Sequence, residues 1–228
     1  MNLLCGSFAV VAALMYNDLT LAFWLIVAGI VFDFFDGFVA RLLHSSSAIG
    51  VQLDSLADVI TSGLAPAAVL WQVCLQTEPC WLPEAWRLGY GVFVLAAFSA
   101  LRLAKFNIDE TQTVEFCGLP TPAGSLLCAS LGMLWQQGML ALSSDGVLLI
   151  AVLTSLLLVS PIRMFALKFH GFGWRGNEVR YLFLLASIVL IIILRTYAIP
   201  VIIVLYIVVS AVRWLCMRLG NPDKAPKA

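Results

Sequence analysis

Long apolar stretches separated by short polar breaks run along almost the whole chain. This alternation predicts eight helices, at about 2–15, 19–43, 47–75, 87–106, 122–138, 146–168, 178–196 and 198–218. Several approach the roughly 20 residues that a helix needs to cross a bilayer. Tyr16 to Asp18 make the first break, and Pro79 and Pro83 mark the 76–86 loop. Ser47 is placed to cap the third helix, and Pro200 suits the first turn of the last. The pattern predicts one integral membrane domain over 1–218, with 219-LGNPDKAPKA-228 as a polar tail.

Composition sharpens this picture. Hydrophobic residues make up 62% of the 228 positions and charged residues only 11%, with a mean hydropathy of +0.99. A soluble domain would carry about a quarter charged residues. The fold class is therefore an all-α polytopic membrane protein of about eight transmembrane helices. A formal net charge of zero says nothing about nucleic acid, and no basic cluster suggests it as a partner. The first apolar run starts at Asn2 with no basic region before it, unlike a cleavable signal. Six cysteines lie mostly inside apolar runs without CxxC spacing, as small buried residues do; Cys74 and Cys80 would pair only across an oxidised loop.

Charge sets the orientation. With eight spans, eleven of the thirteen Lys and Arg residues fall on one side of the membrane, leaving Arg87 and Arg195 on the other. The positive-inside rule makes the rich side cytoplasmic, and both termini with it. In a bacterial cell this is a multi-pass inner-membrane protein.

The same side receives four acids where the chain is otherwise apolar: Asp33, Asp36, Asp54 and Asp58. Spacings of three and four residues put each pair on one helical face, with Cβ atoms about 5–6 Å apart. A short 44-HSSS-47 turn predicts that the two helices are antiparallel neighbours whose acidic faces meet. Each carboxylate at membrane depth costs on the order of 3 kcal/mol, and four cost about 12 before their mutual repulsion. Protonation or basic partners would relieve this, but only Arg41 lies close in sequence. Divalent cations do it better, because all-oxygen ligation suits Mg²⁺, Mn²⁺ or Ca²⁺. Four carboxylates suffice for two ions and leave room for a substrate phosphate. Gly37, Ala40, Gly50 and Ala57 on these faces either let helices pack closely or leave space for a ligand.

The acids and small residues read Asp33-x2-Asp36-Gly37-x2-Ala40-Arg41-x8-Gly50-x3-Asp54-x3-Asp58. This resembles the complete signature of the CDP-alcohol phosphotransferase family. The resemblance implies an enzyme that moves a phosphatidyl or similar group from a CDP-linked donor to an alcohol and releases CMP. It implies that the four aspartates hold two divalent cations, Mg²⁺ or Mn²⁺, with Asp58 also the catalytic base. It implies a nucleotide pocket shaped by Gly37, Ala40, Arg41 and Gly50. A homodimer is implied too, with a six-helix core to which the last two helices are additions. Family members carry extra residues before the first helix; here Asn2 is the remnant nominated for nucleotide binding.

Three segments bear on the acceptor: 102-RLAKFNID-109, 116-FCGLPTPAG-124 and 159-VSPIRMFALKF-169. With the opening 2-NLLCGSFAV-10 they resemble bacterial and archaeal phosphatidylserine synthases, implying CDP-diacylglycerol as donor and L-serine as acceptor. Physical chemistry points the same way. Serine brings a carboxylate, which Arg grips bidentately, and Arg102, Lys105 and Arg163 are the candidates. Lys168, Arg175 and Arg180 read as interfacial residues reaching for water. Two other readings stay open: a sister phosphotransferase acting on glycerol 3-phosphate or an inositol phosphate, and a divalent-cation transporter. A transporter predicts acids on several helices through the membrane's depth, whereas these cluster at one face.

Overall fold

The polar breaks become helix ends. In the computed structural model, which describes residues 1–43, 47–81, 89–108, 115–165 and 177–220, α1 (Asn2–Leu14) turns through Asn17, at φ 51, into α2 (Leu19–Leu42). Asp18 opens α2 by accepting the Leu21 N–H at 2.8 Å. The side chain of Ser47 accepts the Gly50 N–H at 3.0 Å and caps α3 (Ala48–Asp58), as the sequence predicts.

The third apolar run is not one regular helix. A π turn, Val59–Leu64, separates α3 from α4 (Ala65–Gln76), and the Ala65 N–H reaches back five residues to the Ile60 carbonyl. Pro66 explains it: proline has no N–H, and in an α-helix its ring collides with the carbonyl four residues earlier. Widening one turn removes the collision. The buried Ser125 hydroxyl then reaches the Thr61 carbonyl at 3.5 Å.

A 3₁₀ turn, Tyr90–Phe93, leads into α5 (Val94–Ile108). A short strand β1 (Glu115–Cys117) precedes α6 (Thr121–Gln136) and α7 (Ser144–Leu158). The helix predicted over 146–168 stops at Leu158, because Pro161 disfavours helix at Ser160 and cannot donate itself. The chain instead enters β2 (Arg163–Phe165), antiparallel to β1 with Cys117 opposite Arg163 and Glu115 opposite Phe165. Arg163 is thus a strand residue, not the helical one that the periodicity predicted. Between the strands, Gly118 at φ +78 lies against the last carbonyls of α7, where a Cβ would meet Leu158 O. Its N–H bonds Ile162 O at 2.9 Å and the next N–H, of Leu119, bonds Leu157 O at 2.9 Å.

The chain closes with α8 (Glu178–Leu194) and α9 (Ala198–Gly220), joined at Arg195, whose φ 49 and ψ −112 break the helix. α8 packs on α9, and α9 on α6 and β2. Among the described residues the fold is all-α apart from the two short strands, and four segments are long and apolar enough to cross a membrane: Leu19–Ala40, Ile49–Gln76, Tyr90–Ile108 and Glu178–Leu219.

Small residues bring these helices together. α1 buries Gly6, Ala9, Ala12 and Ala13, and α6 buries Gly124, Cys128, Ala129 and Gly132. Lipid offers no hydrophobic drive for helix association, so close van der Waals contact must supply it. At Gly6 even backbone comes close, with Thr61 Cα 2.7 Å from where a Cβ would stand. One end of the bundle is tied by amides: Gln76 donates to Asn17 at 2.8 Å, Gln72 donates to Asn17 at 3.1 Å, and Gln136 accepts the Leu19 N–H at 2.8 Å. Cys74 and Cys80, nearby, are both free thiols.

Candidate active site

The opposite end gathers the acids. α2 and α3 make little direct contact among the described residues; α1 and the π turn lie against both. The acidic side chains nevertheless meet, as the tight turn predicts: Asp33 of α2 lies within hydrogen-bonding reach of Asp54 and Asp58 of α3. Asn2 joins two of them. Its amide nitrogen donates to Asp33 Oδ1 and to Asp58 Oδ1, both at 2.9 Å. Asn2 is 4% exposed, and its backbone carbonyl accepts the Thr61 hydroxyl at 3.1 Å. α1 is thus docked by the residue that holds the two carboxylates.

Asp54 sits within electrostatic reach of both Asp33 and Asp58, though it faces solvent on α3. Asp36 points outward, 59% exposed, with the N-terminal amine 3.8 Å from its Oδ2. Gly37 has open space where a Cβ would be, and Gly50 meets only the Ser47 hydroxyl at 3.1 Å. Ala40 is half-buried at the end of α2. Room for a ligand beside the acids is therefore present. The Arg41 side chain, His44, Arg87, Lys168, Arg175 and the tail from 221 lie outside the described residues.

Among the described residues no three His, Cys, Asp or Glu side chains stand close enough together to hold a metal ion. The donor chemistry nevertheless fits one. The acids supply hard oxygens only, and the positive end of one amide dipole offsets two carboxylates where a cation would do so more strongly. Asn2 Oδ1 adds a buried carbonyl oxygen with no hydrogen-bond partner.

Arg102, on α5, is the buried cation of the site at 7% exposure. Its Nη1 donates to the Thr121 hydroxyl at 2.9 Å, and its guanidinium carbon lies 5.3 Å from the Phe106 ring centroid and 5.9 Å from that of Phe116. Asp58 is close enough to act on its charge, yet its Nε has no hydrogen-bond partner. A buried donor left unpaired costs about 1–3 kcal/mol, so the Nε is open to a further acceptor. Lys105, a turn later, is exposed, and Arg163 is half-buried on β2. Asn107 donates to the Ser55 hydroxyl at 2.9 Å and ties α5 to α3 beside the acids. Arg180, which the sequence places at the interface, is instead buried and donates to Asn177 at 3.1 Å.

Sequence reasoning missed several contributors. Thr121 lies in a quoted loop, but nothing in its neighbours marks it as the partner of Arg102. Phe106 and Phe116 read as ordinary apolar residues, and Asn2 as a nucleotide contact rather than the bridge between Asp33 and Asp58.

Comparison with known proteins identifies the family. Residues 1–162 match the family model described as CDP-alcohol phosphatidyltransferase. The CDP-diacylglycerol–serine O-phosphatidyltransferase of Bacillus subtilis (strain 168) is 33% identical over 170 residues, covering 75% of this chain and 88% of that protein. The enzyme of the same name from Helicobacter pylori (strain ATCC 700392 / 26695) is 31% identical over 204 residues, covering 87% and 81%. That of Mycobacterium tuberculosis (strain ATCC 25618 / H37Rv) is 32% identical over 241 residues, covering 98% and 81%. A model match over most of the chain, on a bundle that gathers the signature acids at one end, places this protein in the CDP-alcohol phosphatidyltransferase family.

Proposed function

We propose that this chain transfers the phosphatidyl group of CDP-diacylglycerol to L-serine, giving phosphatidylserine and CMP. The observation that carries the acceptor is Arg102: a buried guanidinium beside Asp58 with a free Nε. A serine carboxylate on Arg102 turns the serine hydroxyl toward Asp58. That carboxylate takes the hydroxyl proton as the serine oxygen attacks the donor phosphorus that bears the diacylglycerol oxygen. The new phosphorus–oxygen bond forms as the bond to CMP breaks, and CMP leaves with the electron pair. Asp33, Asp36, Asp54 and Asp58 would hold two divalent cations, Mg²⁺ or Mn²⁺, which when bound stabilise negative charge on the phosphoryl oxygens. Gly37, Ala40, Arg41 and Gly50 flank the space for the nucleotide. Asn2 keeps Asp33 and Asp58 together.

Residues 1–218 form one membrane domain of eight spans, six of them the family core, with the site and both termini on the cytoplasmic side of the inner membrane. Two such chains pair as a homodimer. The eleven-to-two division of basic residues supports the orientation.

The test is CMP release by purified protein given CDP-diacylglycerol and, separately, L-serine, glycerol 3-phosphate or an inositol phosphate. Serine alone should support turnover. A phosphate-bearing acceptor brings a dianion, for which one buried Arg, one half-buried Arg and an exposed Lys are a sparse site. Turnover with such an acceptor and not with serine would assign the sister activity. No CMP with any acceptor would remove the transferase reading.

A further inference from the structure

α9 lies beyond the residues that match the family model, yet it reaches the acceptor end. Tyr206 donates its hydroxyl to the Phe165 carbonyl at 2.9 Å, a buried bond from α9 to the last residue of β2. Its ring meets Phe165 edge-on at 4.9 Å between centroids, and Phe183 of α8 completes the cluster at 5.6 Å from Phe165 and 5.8 Å from Tyr206. β2 carries Arg163 two residues before Phe165, and pairs it with Cys117 of β1. From β1 the chain passes Gly118 and Leu119 to Thr121, the partner of Arg102. Tyr206 also lies within electrostatic reach of Arg102.

We infer that Tyr206 is a positioning residue for the acceptor site, holding the β1–β2 ribbon so that Arg163 and the Thr121–Arg102 pair face the acceptor together. The α8–α9 hairpin is then a wall of the acceptor pocket as well as an addition to the core. Two short strands cannot hold a fixed place alone, because a lone two-stranded ribbon is marginally stable. Phe165 is the end of β2 that α9 grips, through a hydrogen bond and an edge contact from Tyr206, with a second edge contact from Phe183 of α8. The residues proposed for the donor, Asn2, Gly37, Ala40, Arg41 and Gly50, lie on α1, α2 and α3 and not on this ribbon. Loss of the Tyr206 hydroxyl should therefore be felt by the acceptor and not by the donor.

The inference rests on serine being the acceptor, and the experiment separates the two ideas. Wild type, Tyr206→Phe and Phe183→Leu are assayed for CMP release, varying serine and CDP-diacylglycerol in turn, on purified protein and in isolated membranes so that an unstable variant still reports. Tyr206→Phe keeps the ring and removes only the bond. It should raise the KM for serine about 2-fold to 13-fold, the range for one net hydrogen bond, with the KM for CDP-diacylglycerol unchanged. Phe183→Leu trims the cluster while sparing the bond, and should lower thermal stability without that split. An unchanged serine KM in Tyr206→Phe, or equal rises for both substrates, overturns the inference. Wild type that releases no CMP with serine overturns the acceptor assignment instead.

Discussion

Arg102→Ala tests the acceptor site most directly. Three structural facts set its size. The guanidinium is buried, it has one hydrogen bond, to Thr121, and its Nε is free. In the unliganded protein the substitution loses about 1 kcal/mol for the Thr121 bond and about 0.5–1 kcal/mol for each ring contact. Removal of an unpaired buried donor returns about 1–3 kcal/mol, so the net change in stability is small. Serine binding is different. A charge-assisted bidentate contact is worth about 1.5–3 kcal/mol, which predicts a serine KM raised about 13-fold to 160-fold. Arg102→Lys keeps a charge but loses the fork, and should fall between wild type and Ala. The assay is CMP release against serine at saturating CDP-diacylglycerol, then the reverse, with thermal unfolding in parallel. Equal rises in both KM values, or a large drop in unfolding temperature, would refute the reasoning and make Arg102 a lipid-binding or structural residue.

Chelation should abolish turnover and added Mg²⁺ or Mn²⁺ should restore it; Asp33→Asn and Asp54→Asn should each remove most activity, and full activity in excess EDTA would end the two-cation proposal. Asp58→Asn should lower kcat at least about 10²-fold, the low end for general-base catalysis, while CDP-diacylglycerol binding measured by equilibrium titration persists. Direct attack requires inversion at phosphorus, so retention or a trapped phosphatidyl-enzyme would refute it. Gly6→Ala should cost about 1–3 kcal/mol by forcing α1 off Thr61, read as a drop in unfolding temperature in detergent, and an unaltered transition would show that the helices yield there.

Hydropathy made most of the helices legible, because each apolar run had to satisfy its own backbone groups inside a bilayer and a helix does so locally. The acids were legible for a related reason: a carboxylate in such a chain is costly enough to mark a site. The relation between elements was not. A short turn between α2 and α3 gives no sign that α1 lies against both, and a single Asn at position 2 carries little signal for a contact 56 residues away. The β1–β2 ribbon was hidden for another reason. Three-residue strands have no period to detect, and the apolar run through Ile162 to Phe169 reads equally well as helix. Pro161 was the available clue. Pro66 was the corresponding clue to the π turn.

That π turn has a consequence for how the rod from Ala48 to Gln76 accepts change. Each residue of an α-helix advances the side-chain direction by about 100°, so one extra residue in a turn re-phases all that follows. Above the slip, α4 turns Ala65, Ala67 and Ala68 into the bundle; below it, α3 turns Asp58 toward Asn2 and Arg102 of α5. The two halves are set to different clocks, and Val59–Leu64 is where they are reconciled. A single deletion within this turn would restore regular winding and swing one face away by about 100°. Either the aspartates would leave the site or the alanines would leave the core. Substitutions along the rod can be absorbed one by one, whereas its length in this turn cannot vary without losing either packing or chemistry.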